Sequence, residues 1–232
     1  MELKLQVAID RVPLDRALDI VGEVREIADI VEIGTSLTKD YGMESIRAIR
    51  QLLDGDNGPN NGASNGASNG SSNGSNNGPR PKILADIKTM DEGAYEFEAA
   101  YAAGADYATV MGAAARATVE ACYRVAENRG RDILIDLLET TPEKIAALQG
   151  LKNAVFCIHL PKDGPASDIV AKVDEFWQAY PDIERIAVAG GITLDQIPLL
   201  AKLPIEICIV GSAVTGADDV RLAAEAFAAA ML

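Results

Sequence analysis

One histidine, one tryptophan and three cysteines are all that 232 residues provide, and each scarcity closes a route. With no second histidine beside His159, a histidine-based metal site lacks ligands. Cys122, Cys157 and Cys208 are odd in number, far apart and without C-x-x-C spacing. That excludes a disulfide framework and a cysteine zinc site, and it suits small core residues of a reducing compartment. Basic residues are also short: 21 Lys and Arg face 35 Asp and Glu, a formal charge of −14 with a pI near 4.5. Such a surface repels phosphate backbones, so no nucleic-acid partner is expected, whereas a small anion needs only a local pocket of N–H groups. No apolar run approaches the ~20 residues of a membrane-spanning helix. Met1 leads into a strand pattern without a basic-then-apolar leader, so a soluble, cytoplasmic protein with no membrane partner is expected. No G-x-S-x-G follows an apolar strand, and a Walker A loop and an early G-x-G-x-x-G are missing, which removes the hydrolase, P-loop and Rossmann readings.

What is present is a regular alternation. Leu3, Leu5, Val7 and Ile9 recur with a period of two that ends at Asp10. From Pro13 onward, Leu14, Ala17, Leu18, Val21, Val24 and Ile27 recur at spacings of three and four, as on one face of a helix. The same pair of patterns repeats, with strands expected at 30–33, 82–87, 106–111, 133–137, 154–158, 186–189 and 205–210. Helices are expected at 43–53, 91–103, 113–128, 142–148, 169–180, 194–200 and 218–231. The strands are continuous apolar runs, as in parallel sheets covered on both faces. About eight such units without a second domain predict a single (β/α)8 barrel over residues 1–232 rather than an open doubly wound sheet. Gly55 to Pro79 repeats Asn, Gly and Ser with no core-forming residue. It is expected to be a disordered insertion at the barrel end opposite the catalytic face, without a part in chemistry.

The strand ends gather charge. They present Asp10, Glu32, Asp86 with Lys88, Asp136 and His159, and then two glycine turns, Gly190-Gly191-Ile192 and Gly211-Ser212-Ala213. Asp86 and Lys88 are two apart on a strand and so share a face. Asp91 stands where the next helix begins, which leaves open a plain reading of the trio as a salt bridge and a helix cap. The chemical reading is that Asp10, Glu32 and Asp86 on adjacent strands need a cation among them, either Lys88 or a hard divalent ion such as Mg2+. Glycine turns after strands seven and eight suit a phosphate, with Ser212 adding a hydroxyl donor. His159 is a candidate general acid or base.

The stretches LQVAID (Leu5 to Asp10), DIVEIGTSL (Asp29 to Leu37), LADIKTMD (Leu84 to Asp91), AGADYATVMG (Ala103 to Gly112), VAGGI (Val188 to Ile192) and IVGSAVTGADD (Ile209 to Asp219) resemble the orotidine 5'-monophosphate decarboxylase superfamily. Within it they are most similar to the branch of 3-hexulose-6-phosphate synthases and 3-keto-L-gulonate-6-phosphate decarboxylases. The resemblance implies Mg2+ held by Glu32 and Asp86, and a homodimer with shared sites into which Asp91 reaches from the neighbouring subunit. It also implies Lys88 neutralising the reacting oxygens and His159 as acid/base. The implied reaction joins a small phosphorylated sugar, D-ribulose 5-phosphate, to formaldehyde through an enediolate. A keto-sugar-acid phosphate decarboxylase, an epimerase-like barrel and a non-catalytic sugar-phosphate sensor are the alternatives. After His159 the chain reads Leu160-Pro161-Lys162-Asp163-Gly164-Pro165 where the family commonly has H-A-G-x-D-x-Q, so substrate identity turns on this loop. The turn at Gly211-Ser212 lacks the arginine expected of a decarboxylase, which favours the synthase.

Overall fold

The computed structural model describes residues 2–55, 80–164 and 167–232. Strands β1 (Lys4–Ile9), β2 (Ile30–Ile33), β3 (Lys82–Thr89), β4 (Tyr107–Met111), β5 (Asp132–Asp136), β6 (Val155–His159), β7 (Ile186–Ala189) and β8 (Ile207–Val210) pair in chain order. Every pairing is parallel, and β8 pairs back onto β1 to close the expected (β/α)8 barrel. Helices α1 (Leu14–Val24), α2 (Thr35–Tyr41), α3 (Met43–Asp54), α4 (Gly93–Ala102), α5 (Arg116–Arg129), α6 (Pro142–Leu148), α7 (Ile169–Ala179), α8 (Ile197–Leu200), α9 (Ser212–Thr215) and α10 (Val220–Ala230) surround it. Among the described residues no helix is long and apolar enough to cross a membrane.

The apolar runs serve two layers, as strands covered on both faces require. Outward side chains such as Val7, Ile33, Ile83 and Ile135 pack against the helices, while Ile30, Leu84, Leu134, Val155 and Ile207 fill the barrel interior. The N-terminal mouth is closed by ions. Glu206 accepts hydrogen bonds from Lys4 at 2.9 Å and Arg185 at 2.8 Å, and Arg185 reaches Asp132 at 2.6 Å. Lys82 lies 5.6 Å from the Tyr107 ring centroid. Burial works to raise the Glu206 carboxyl, but the hydrogen bonds and charges of Arg185 and Lys4 leave it lowered. With this floor in place, the strand ends that carry charge face the opposite mouth.

The structure departs from the expected elements at four places. Two short helices, α2 and α9, follow β2 and β8 directly; each is too short to show a 3.6 period. The third strand runs on to Thr89 because it contains a bulge. Helix α4 begins at Gly93, preceded by Glu92 at φ 53°, and no side chain caps it, so Asp91 is not its cap. Residues 56–79 of the expected insertion and Pro165 lie outside the described residues. The flanks of the insertion are joined by an ion pair between Asp54, at the end of α3, and Arg80, ahead of β3.

Candidate active site

The site is built on the irregularity of β3. Ala85 pairs with Ala108 and Thr89 with Val110, so four steps of β3 face two of β4. The slack is taken up at Lys88, whose φ of 47° lies in the left-handed region that a lysine rarely adopts. Its N–H donates to Thr109 Oγ1 at 2.8 Å. The bulge brings the Asp86 carboxylate and the Lys88 ammonium together at 3.2 Å.

Asp86 is 5% exposed and satisfied by three donors. Thr109 donates to Oδ1 at 2.9 Å, while Thr35 at 2.5 Å and Lys88 serve Oδ2. Lys88 Nζ also donates to Asp136 Oδ2 at 2.8 Å. The same oxygen lies 2.8 Å from His159 Nδ1, and Asp136 Oδ1 accepts the Leu138 N–H at 3.0 Å. Burial alone would raise the Asp136 carboxyl; the hydrogen bond from His159 and the charge of Lys88 hold it at about 2. An ionised Asp136 is an acceptor only, so His159 donates from Nδ1, and in the neutral ring the lone pair is then on Nε2. Burial likewise pulls the Lys88 ammonium down, and Asp86, Asp136 and Glu32 outweigh it, leaving Lys88 raised and firmly charged.

Glu32 is buried beside this chain of charges and accepts from Gln6 Nε2 at 2.6 Å. Burial first, and the Asp86 charge second, raise its carboxyl to about 8. The Gln6 Oε1 atom is buried with no partner. The cluster is therefore short of positive charge. Among the described residues no three His, Cys, Asp or Glu side chains converge as a closed metal cage would require. Glu32 and Asp86 bring two hard carboxylates to this cluster, a donor set that suits Mg2+, which takes its other ligands from water and substrate.

The remaining expected residues divide. Asp10 is exposed at the end of β1, holds the Ser36 hydroxyl and N–H, and touches the cluster only by adding to the charge that raises Glu32. Gly190 and Gly191 have φ of 102° and 67°, and a Cβ at 190 would run into the Leu160 carbonyl oxygen, so the turn after β7 is locked against the segment after His159. Leu160 N–H closes that contact on Ala189 O at 2.9 Å. Gly211 and exposed Ser212 open α9. Asp91 is not part of the cluster; it lies exposed at a groove of about 310 Å³ between α4 and α5, beside exposed Met90 and Tyr95. Among the described residues four non-glycine residues have positive φ, namely Arg11, Lys88, Glu92 and Glu139. All sit at or beyond strand ends on the charged mouth, which is where functional sites keep backbone strain.

Asp136 stands at a strand end outside the expected site, and Gln6, Thr35 and Thr109 are also outside it. For Gln6, Thr109 and Asp136 the available signal is a polar side chain inside a strand that is otherwise apolar on both faces. Buried there, such a group must be partnered.

The model of the orotidine 5'-phosphate decarboxylase / HUMPS family matches residues 3–53 and 75–227, leaving 54–74 unmatched. The chain is 30% identical over 237 residues to the 3-hexulose-6-phosphate synthase of Mycobacterium gastri, covering 99% of this chain and 100% of that one. It is 28% identical over 225 residues to the Bacillus subtilis (strain 168) protein of the same name, covering 94% and 93%. Among solved structures, a 3-hexulose-6-phosphate synthase from Salmonella typhimurium superposes with a TM-score of 0.82 at 27% identity, covering 98% of both chains. The 3-keto-L-gulonate-6-phosphate decarboxylase of Vibrio cholerae O1 gives 0.76 at 26% identity, covering 100% and 98%.

Proposed function

The chain belongs to the orotidine 5'-phosphate decarboxylase / HUMPS family, and on that footing we propose that it is an aldolase-type lyase that joins D-ribulose 5-phosphate to formaldehyde, giving a 3-hexulose 6-phosphate, and catalyses the reverse cleavage. The observation that carries this reading is the linked series Asp86, Lys88, Asp136 and His159 at the open mouth of the barrel. The names of the relatives supply the substrates.

His159 Nε2, freed by the Nδ1 bond to Asp136, takes a proton from C1 of the ketose. Lys88, held charged by its two carboxylates, neutralises the enediolate oxygens as they gain charge. C1 then attacks the formaldehyde carbon, the carbonyl electron pair moves to oxygen, and His159 returns its proton to that oxygen. Glu32 and Asp86 are the residues that would hold Mg2+, which when bound supplies a hard double positive charge close to the reacting sugar oxygens. Gly190, Gly191, Gly211 and Ser212 offer N–H and hydroxyl donors to the substrate phosphate.

Asp91 makes no hydrogen bond or ion pair that the described residues supply, and it stands beside Met90 and Tyr95, which are 54% and 73% exposed. This supports a homodimer in which the groove between α4 and α5 meets a second copy and Asp91 enters that copy's site. Three buried free thiols support a cytoplasmic setting. In the test, purified protein with Mg2+ and D-ribulose 5-phosphate consumes formaldehyde, and EDTA or Asp86→Ala stops it. Release of carbon dioxide from 3-keto-L-gulonate 6-phosphate with formaldehyde untouched would replace this reading with the decarboxylase. Binding of ribulose 5-phosphate without turnover of either would replace it with a sensor.

A further inference from the structure

We propose that Thr109 is a positioning residue for this reaction: its hydroxyl fixes the bulge of β3 so that Lys88 and Asp86 meet the substrate in one arrangement. The proposal rests on the lyase reading above. Thr109 is buried on the inner face of β4, and its Oγ1 accepts the Lys88 N–H at 2.8 Å while donating to Asp86 Oδ1 at 2.9 Å. A hydroxyl has one hydrogen. A backbone N–H is a donor only, so it occupies an Oγ1 lone pair and leaves that hydrogen to the carboxylate. The direction of the chain from Lys88 N–H through Thr109 to Asp86 is therefore set by chemistry and not by rotor freedom. The Lys88 ammonium closes the circuit on the other Asp86 oxygen at 3.2 Å. One hydroxyl thus ties the strained backbone of Lys88 to the carboxylate that its own side chain contacts.

The strain explains why the tie is needed. Lys88 sits at φ 47° within a strand, where an extended conformation is the unstrained alternative. Without the hydroxyl its part-buried N–H loses this partner, and relaxing the bulge would re-pair it. Relaxation also re-aims the side chain, because the direction of the Lys88 Cα–Cβ bond is set by the bulged backbone that places it. The ammonium then leaves Asp136 and the reacting oxygens. The glycine turns assigned to the phosphate follow β7 and β8, strands that do not pair with β3 or β4. Loss of the hydroxyl is therefore expected to act on turnover and not on substrate affinity.

Thr109→Val keeps the shape and removes the hydroxyl; Thr109→Ser keeps the hydroxyl and removes the methyl. Turnover of ribulose 5-phosphate and formaldehyde per folded molecule should fall about tenfold or more in Val, with KM for the sugar within about twofold, and return to near wild type in Ser. A crystal structure of the Val variant should show Lys88 outside the positive-φ region. If Val does not fold, Thr109→Ala, whose vacated space admits a water, takes its place in the same comparison. Wild-type turnover in Val, or a Ser variant as slow as Val, would overturn the proposal. A wild-type protein that consumes no formaldehyde would overturn the lyase reading instead, and the Lys88 conformation in the Val crystal would then decide Thr109 alone.

Discussion

Asp136 is the group whose removal should be felt both in stability and in rate. Its two oxygens serve three donors: Leu138 N–H on Oδ1, and Lys88 Nζ with His159 Nδ1 on Oδ2. An asparagine has one oxygen, so in Asp136→Asn an amide N–H must face either the Leu138 N–H or the Lys88 and His159 donors. Holding the native carboxyl at about 2, against an ordinary 3.8, corresponds to about 2–2.5 kcal/mol of stability at neutral pH. Losing two charge-assisted hydrogen bonds, each worth about 1.5–3 kcal/mol in part replaced by neutral ones, gives the same order. The folded pKa is depressed, so this stability is present above 3.8 and is lost as pH falls through about 2. Urea titrations should therefore show the variant about 2 kcal/mol less stable at pH 7 with an unchanged m value, and the gap should narrow below about pH 4. Formaldehyde consumption should drop on the order of 100-fold, because the amide either reverses the histidine tautomer or lets go of the lysine. Equal midpoints at pH 7, or a gap that does not shrink in acid, would refute the reasoning.

Glu32 carries the opposite sign. With Mg2+ removed, its folded pKa of about 8 means the native state keeps a proton that the unfolded chain has released above 4.5. Stability should then fall as pH rises from about 5 to 8, on the order of 3–5 kcal/mol in all, and Glu32→Gln should flatten the slope; parallel pH–Tm curves for the two proteins would sink the idea. Gly190→Ala should raise KM for the sugar phosphate and cost more than about 1 kcal/mol, because the new Cβ meets the Leu160 carbonyl, whereas Gly191→Ala meets nothing and should cost less. Thermal melts and kinetics on the pair check the ranking. Replacing residues 56–79 by a few glycines should leave the catalytic constant within about twofold, since Asp54 and Arg80 already join the flanks; a large loss would contradict the placement of that segment away from the chemistry.

The barrel was legible because its signal is repeated. Eight apolar runs such as Ile186 to Ala189, each followed by a helical pattern, leave few other architectures, and single errors at ends such as Asp132 or His159 do not disturb the count. The carboxylates and glycines stood out as charge or turn residues next to apolar runs. The bulge did not. Its period of two continues unbroken through Asp86 and Lys88, and nothing in residue type announces a lysine at positive φ. Asp91 looked like a cap because aspartate often is one; the turn instead places Glu92 at the start of α4. Thr109 and Gln6 were hidden by their setting, since one hydroxyl or amide among apolar neighbours resembles ordinary strand variation until its partners are seen.

The ionic floor of the barrel has a consequence for the order of events in folding. Lys4 and Glu206 are 202 positions apart, and their bond lies at the seam where the first strand meets the last. Every other neighbouring pair of strands is consecutive in the chain, so this seam closes the longest loop in the molecule and is expected to form late. Interactions absent from the folding transition state govern how fast the native state opens, not how fast it forms. Cutting the Lys4–Glu206 link should therefore leave refolding rates nearly unchanged while hastening unfolding, which makes the seam the place where the lifetime of the closed barrel is set.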